Sequence, residues 1–433
     1  MSFDAPPEAR RAPPRRIAVV GGGISGMAAA LLLAPGNRVT LFETEPRLGG
    51  HARTVVAGKR GDQAVDTGFI VFNYANYPHL TRLFTELEVP VQRSDMSFGA
   101  TLEGGRIEYG LKNLSALFAQ RRNLLRPDFL AMLRDILRFN AQAEAAAEVG
   151  EMTVDDLVRV LGLGQSFRRN YLLPMCGAIW STPSAEVGAF PARSLLRFFR
   201  NHALLSPSGQ HQWWTVAGGS LEYVSRLAAR LAVLGVELHT GCPVRAVTRD
   251  AAGVTLRAEG GLPERFDEVV LACHSDQALA MLTDPAPEER AALSAIAYRP
   301  NRAVLHADAR QMPRRRACWS AWVYQTERAG QQDAVGVTYW MNRLQNIPEA
   351  DPLFVTLNPQ RPVDPRLIYD DVTFAHPVFD RAALKAQEAI AARNGTRHTW
   401  FAGAWLRYGF HEDGFASAVR IASAMERAAR VSA

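Results

Sequence analysis

The sequence predicts an α/β protein with two domains, one of them built on a parallel sheet. Three observations carry this. An apolar run, Ile17–Val20, is followed at once by Gly21-x-Gly23-x-x-Gly26, and then by a small-residue stretch over 27–34 that reads as a helix. A second run, 38–42, ends on Glu43, 22 positions after Gly21. The chain has 433 residues, more than one ordinary hydrophobic core fills.

In such a unit the first glycine makes a tight turn and the second lets backbone N–H groups approach a pyrophosphate. The third lets helix and strand pack closely. The helix N-terminus then faces the phosphates, and an acid ending the next strand meets a ribose hydroxyl. A Rossmann-type dinucleotide domain is therefore expected. Residues 17–34 are apolar and follow two Arg pairs, so a signal peptide or membrane span is the rival reading. Four glycines in the run, the lack of a small-residue cleavage site and the strand ending on Glu43 argue against it. A soluble, cytoplasmic chain is expected.

Composition narrows the chemistry. The four cysteines, Cys176, Cys242, Cys273 and Cys318, lie far apart with no CxxC spacing, which favours a reducing compartment over a disulfide framework or a zinc site. The histidines are equally scattered, so no metal is expected. The net charge of +6 comes almost wholly from arginine, since Lys59, Lys112 and Lys385 are the only lysines. Such a surface either reflects composition alone or meets anions. No nucleic-acid motif appears, so anionic phospholipid is the partner expected over nucleic acid.

Along the chain, residues 1–14 are rich in Pro, Ala and Arg and read as a disordered tail. A hairpin-like stretch leads from His51 to Asp66-Thr67-Gly68. Leu80, Leu83, Phe84 and Leu87 place a helix within 73–89, and 97–109 reads as a hairpin around Gly104-Gly105. Residues 111–205 read as mostly helical, and the apolar segment 174–180 suits a cavity wall or plain core. Two basic amphipathic pieces stand out. Leu114, Leu117, Phe118, Leu124 and Leu125 surround Arg121-Arg122; Leu195, Leu196, Phe198 and Phe199 sit among Arg193, Arg197 and Arg200. Either is an interfacial helix or an ordinary helix covering a core.

A second α/β unit follows, with a helix over 221–234 and strands over 236–240, 244–247, 254–258 and 266–273. Strands spread over 300–380 form a mixed or antiparallel sheet, and a helix running to 430 closes the chain. The expected division is 15–75, 214–295 and 395–433 for the nucleotide domain, and 76–213 and 296–394 for a substrate domain with membrane-facing helices.

Three separated pieces look like parts of one site: the N-terminal glycine unit, the strand FDEVVLAC, and AGA…HEDG before the last helix. That set resembles the flavin-dependent amine oxidase, phytoene desaturase and protoporphyrinogen oxidase superfamily, over nearly the whole chain. The resemblance implies bound FAD. Gly21, Gly23, Ile24, Ser25 and Gly26 would hold its phosphates, and Glu43 and Thr44 its adenosine ribose. Arg47, Gly49, Gly50 and His51 continue the nucleotide stretch, and Val244 meets the adenine. Gly403, Glu412, Asp413, Gly414 and Phe415 lie at the ribityl chain and flavin ring, the last helix pointing its positive end at the flavin.

Two departures matter. In amine oxidases an aromatic residue stands just before the closing acid–Gly pair, where this chain has His411. No cysteine lies in the closing stretch to attach the flavin, so non-covalent FAD is expected. The stretches DTGFIVFNYANYPHLTRLF, PMCGAIWSTP, WWTVAGGSLEYV, LACHSDQAL, VTYWMNRLQ, FVTLNP, FAHPVFD and YGFHEDG are similar to one bacterial subgroup of that superfamily. This subgroup includes a desaturase of methyl-branched fatty acyl chains in furan fatty acid biosynthesis.

The resemblance implies an FAD-dependent desaturase of phospholipid acyl chains, passing electrons to an acceptor the sequence does not define. It would sit in the cytoplasm or at the inner face of the cell membrane. His411 is the first candidate base, since histidine titrates near neutrality; Tyr408, Tyr74 and His51 follow. Met175, Ile179, Trp180, Trp340 and Met341 are the candidate substrate lining. The alternatives are an oxidase of a small diffusible substrate such as an amine, and a lipid carrier without redox chemistry.

Overall fold

The computed structural model describes residues 14–148, 152–180, 187–201, 204–205, 211–327 and 336–431. Apart from Pro14, the tail expected over 1–14 lies outside them. The chain divides into two compact units. The first takes the described residues up to Gly50, Ser225–Ile296, and those from Lys385 on; the second takes His51–Val224 and Ala297–Leu384.

The first unit is built on a five-stranded parallel sheet. Its strand order is Glu237–His239, Arg38–Phe42, Arg16–Val20, Glu268–Leu271, Thr399–Phe401. Arg16–Val20 is central, with Ile17 registered against Val39 on one side and Glu268 on the other. Ile17, Ala18 and Val19 are fully buried. A strand covered on both faces needs apolar side chains throughout, which explains why the run is continuous rather than alternating. The helix Ile24–Leu33 crosses from this strand to the next, and the closing helix His411–Val431 packs along it.

A three-stranded antiparallel sheet, Val244–Asp250, Gly253–Ala258 and Glu264–Phe266, completes the first unit. The Arg249 side chain is fully buried there. It donates two 2.8 Å hydrogen bonds to Glu289 and a longer one to Asp284 at 3.2 Å, so the buried charge is paired on both sides of its fork.

The second unit carries a seven-stranded sheet ordered Ile368–Pro377, Tyr298–His306, Phe354–Leu357, Gly336–Trp340, Trp322–Gln325, Phe98–Leu102, Ile107–Gly110. Every pairing is antiparallel except Trp322–Gln325 on Phe98–Leu102, which is parallel. This is the mixed sheet expected for a substrate domain. The unit boundaries differ from those read in the sequence. Residues 51–75 fall in the second unit because Ala57 and Val65 of the hairpin Thr54–Ala57/Gln63–Asp66 enter its core with Leu305, Met341 and Leu353. Strand Trp213–Val216 belongs there too, since it pairs with Val71–Phe72 and Val91–Ser94. Residues 385–394 fall in the first unit.

Helices of the second unit include Pro127–Glu148 and Ala192–Asn201. Phe139 meets Phe167 at 5.3 Å and Phe199 at 6.2 Å between ring centres. Leu195, Leu196, Phe198 and Phe199 are all buried. Helix Ala192–Asn201 therefore covers a core, the second of the two readings its sequence allowed. Among the described residues no helix is long and apolar enough to cross a membrane.

Candidate cofactor site

The site is built in the first unit where the central strand ends. Gly21 follows Val20 with φ +111°, and its N–H donates to Phe42 O at 2.8 Å. A Cβ there would stand 2.6 Å from Ala272 O, at the end of strand Glu268–Leu271. A Cβ on Gly26 would stand 1.8 Å from Gly21 O, so only glycine lets the first turn of the helix pass under the loop. The Gly23 N-cap of that helix has no side-chain cap. The first N–H groups of a helix have no intrahelical acceptor, so Ile24, Ser25 and Gly26 present donors.

Glu43 closes the loop from the other side. Its carboxylate accepts Gly22 N–H at 2.5 Å and Glu45 N–H at 2.8 Å. Its own N–H donates to His239 O, and Cys242 N–H donates to Glu43 O, both at 2.8 Å. That ladder brings the segment leading to Val244 beside the acid, as expected for an adenosine pocket. Thr44 is exposed next to it. Gly49 N–H donates to Gly22 O at 2.8 Å, and a Cβ on Gly50 would stand 3.1 Å from Gly23 Cα. Arg47 donates to Gly50 O at 3.0 Å, holding the 47–50 turn over the glycine loop.

The closing helix adds the second half. Gly414 lies against the first helix: a Cβ on it would stand 2.7 Å from Ser25 Oγ and 2.9 Å from Ile24 Cγ2. Two helix N-termini thus meet, and their partial positive charges add at one place. Asp413 is buried in that first turn, accepting N–H groups of Phe410 at 3.1 Å and Tyr408 at 3.3 Å. Burial pushes its carboxyl up to about 6, with the two N–H groups and Arg407, 3.6 Å away, pulling the other way. Glu412 and Phe415 are buried beside it, and Gly403 N–H donates to Ser417 Oγ at 3.0 Å.

The fit to FAD rests on this cradle. Backbone crowded to the point of excluding side chains at Gly21, Gly26 and Gly414, donors at the paired helix ends, and an acid at the strand end are what a dinucleotide requires. His51 is the exception among the expected cofactor residues. It lies in the second unit, where its ring stacks on Phe374 at 5.0 Å.

The candidate bases fall in both units. His411 opens the closing helix, partly buried, and burial takes its pKa down to about 3. Tyr408 lies in the same unit, its ring under the Arg407 guanidinium at 5.4 Å. Tyr74, half-exposed, lies with His51 in the second unit, edge-on to Trp214 at 5.6 Å. Of the expected substrate residues, Met175 is buried in helix Leu173–Trp180, and the side chains of Ile179 and Trp180 lie outside the described residues. Trp340 and Met341 are core residues, Trp340 against Trp319 at 5.3 Å and Met341 with Leu305 and Leu353.

The sequence reading missed three features. Gly22 is held between Leu48 and Glu43, where a Cβ would stand 2.7 Å from Leu48 Cδ2. Trp405 donates its indole N–H to Cys273 O at 3.0 Å, tying the AGA segment to the strand FDEVVLAC. In the second unit Asp66 is fully buried and accepts from Thr54 Oγ1, Ser220 N and Oγ, and Gln345 Nε2 at 2.6–3.0 Å. An acid directly after the apolar Val65 was the only signal for that cluster.

Known proteins share this fold. The chain superposes on a conjugated-linoleic-acid-producing fatty acid isomerase from P. acnes with TM-score 0.68 at 13% identity, covering 95% of this chain and 99% of that one. Among curated relatives, 35 residues match the carotenoid phi-ring synthase of Streptomyces griseus at 71% identity, 8% of this chain and 7% of that protein. AofH of Mycobacterium tuberculosis, a flavin-containing monoamine oxidase by name, is 25% identical over 283 residues, 63% of this chain and 60% of that protein. The chain thus spans less than two thirds of both relatives. The family model of flavin containing amine oxidoreductases matches residues 24–311. FAD, which the cradle fits, is the cofactor, and the chain belongs to the flavin containing amine oxidoreductase family.

Proposed function

We propose that the protein is an FAD-dependent oxidoreductase, a desaturase of methyl-branched unsaturated fatty acyl chains of phospholipids that yields a conjugated diene. The observation that carries this reading is His411. An amine oxidase of this superfamily holds its substrate amine against an aromatic face just before the acid–Gly pair, and here an imidazole opens the helix instead. A fold shared with a fatty acid isomerase accommodates acyl chains, which supports the reading.

When bound, FAD would supply the two-electron acceptor for a hydride from an allylic carbon. A base takes a proton from the neighbouring carbon, and the electron pair left behind becomes the new double bond. His411 would be that base: burial lowers its pKa to about 3, which leaves the imidazole neutral at neutral pH but weakly basic. The glycine loop and Glu43 would hold the nucleotide half, and the Gly403 and Asp413–Gly414 turns the other. The FAD would be held non-covalently, since the closing stretch, where the resemblance places the flavin ring, has no cysteine to attach it.

An oxidase of a small amine is the second reading, favoured by the match to AofH. One experiment separates them. Purified holoprotein under anaerobic conditions is mixed with phospholipid carrying a methyl-branched monounsaturated chain. Bleaching of the oxidised flavin bands, with a lipid product lighter by two hydrogens, is the expected result. Unchanged colour with that lipid but bleaching by amines would overturn the desaturase reading.

A further inference from the structure

The structure separates two segments that look alike in sequence. Both carry leucine and phenylalanine among arginines, and helix Ala192–Asn201 turns its apolar residues into the core. Segment 111–138 buries Phe129 and Met132 but leaves most of its leucines outside. Six of the fifteen large apolar side chains exposed among the described residues fall within it, a concentration scattered surface leucines do not produce. Leu114 is 73% exposed, Leu124 50% and Leu125 86%. They lie on the short helices Leu114–Leu117 and Arg121–Leu125, just ahead of helix Pro127–Glu148.

The scaffold beneath them is ordered. Asn113 caps the first short helix through Ala116 N–H at 2.8 Å, and Phe118 meets Phe129 at 6.2 Å between ring centres. Asn123 is buried and donates to Glu108 O at 3.1 Å. These contacts turn Ala116, Asn123 and Phe129 inward and leave the leucines outside. Leu130 and Leu137, seven positions apart on one face of the long helix, extend the exposed set.

The charge around them is positive. Lys112, Arg121, Arg122, Arg126, Arg134 and Arg138 lie in the segment against only Asp128 and Asp135. Asp128 pairs with Arg126 and the buried Asp135 with Arg134, both at 2.9 Å, which leaves Lys112, Arg121, Arg122 and Arg138 as the excess within the segment. Arg122 is exposed and donates to the carbonyls of Gly105 and Arg106. Exposed leucines and an excess of cations in one segment are what a bilayer boundary requires, with acyl chains for the first and phosphates for the second.

We infer that segment 111–138 is a docking surface for an anionic phospholipid bilayer, entered by Leu114, Leu124 and Leu125. The inference stands on this surface and not on which substrate the flavin oxidises.

The test is co-sedimentation of the full holoprotein with vesicles of phosphatidylcholine alone or mixed with phosphatidylglycerol. The protein should pellet with the mixed vesicles, less so as salt rises, and poorly with the neutral ones. A Leu114→Ser/Leu124→Ser/Leu125→Ser variant should bind about tenfold more weakly or worse. Its flavin content and melting temperature should match the parent, because these side chains are exposed. Failure of the parent to pellet, or unchanged binding by the variant, would overturn the inference. So would a lipid-free dimer that the triple substitution dissociates, since a second copy would then cover the patch.

Discussion

Gly414 on the closing helix sits against Ser25 on the first, so close that a Cβ at 414 would stand 2.7 Å from the Ser25 hydroxyl oxygen. This contact sets the approach of two helix N-termini, so that their partial positive charges fall together. It also ties residues nearly four hundred positions apart into one cradle, which neither segment forms alone.

Gly414→Ala should therefore cost about 1–3 kcal/mol by overpacking and release FAD, read as a lower flavin-to-protein ratio after purification. Combining it with Ser25→Ala removes the hydroxyl that the new methyl meets and should restore part of the flavin. Ile24 Cγ2, 2.9 Å from the same Cβ position, prevents full recovery. Flavin content unchanged in the single variant would mean the helices separate easily and the close approach is not required.

Phe199 and Leu125 show what tertiary structure adds to an amphipathic pattern. Phe199 is fully buried beside Phe139, and Leu125 is 86% exposed. Phe199→Ala should lower stability by about 3–5 kcal/mol in urea unfolding. Leu125→Ala should stay within about 0.5 kcal/mol of the parent. Equal effects would contradict the burial of the 192–201 helix and return it to the surface.

The same pair explains how far the sequence could be read. The glycine loop and Glu43 were legible because backbone approach and a strand-end acid are local demands, met within a few dozen residues. The mixed sheet was legible from short strands between turns. Which unit residues 51–75 join depends on where Ala57 and Val65 find apolar partners, and those partners come from 305, 341 and 353. Asp66 gathers donors from 54, 220 and 345, a cluster with no local pattern to betray it. His411 was legible as a histidine at a telling position, but its pKa of about 3 comes from burial that no spacing encodes.

Asp413 gives a pH signature with a defined sign. In the folded chain its carboxyl holds a proton up to about pH 6, against 3.8 for the ordinary group, because burial disfavours the charge. Between those values the folded state keeps a proton that the unfolded state has lost, so unfolding releases it. Asp413 therefore contributes stability below about pH 4 that is lost as the pH rises through 6, worth at most about 3 kcal/mol. Asn at this position keeps an oxygen to accept the Phe410 and Tyr408 N–H groups and cannot ionise. In flavin-free protein, the melting temperature of the parent relative to Asp413→Asn should fall between pH 4 and pH 7 and level off above. Parallel melting curves across that range would show that the carboxyl titrates alike in both states. The N–H donors and Arg407 would then fully offset its burial.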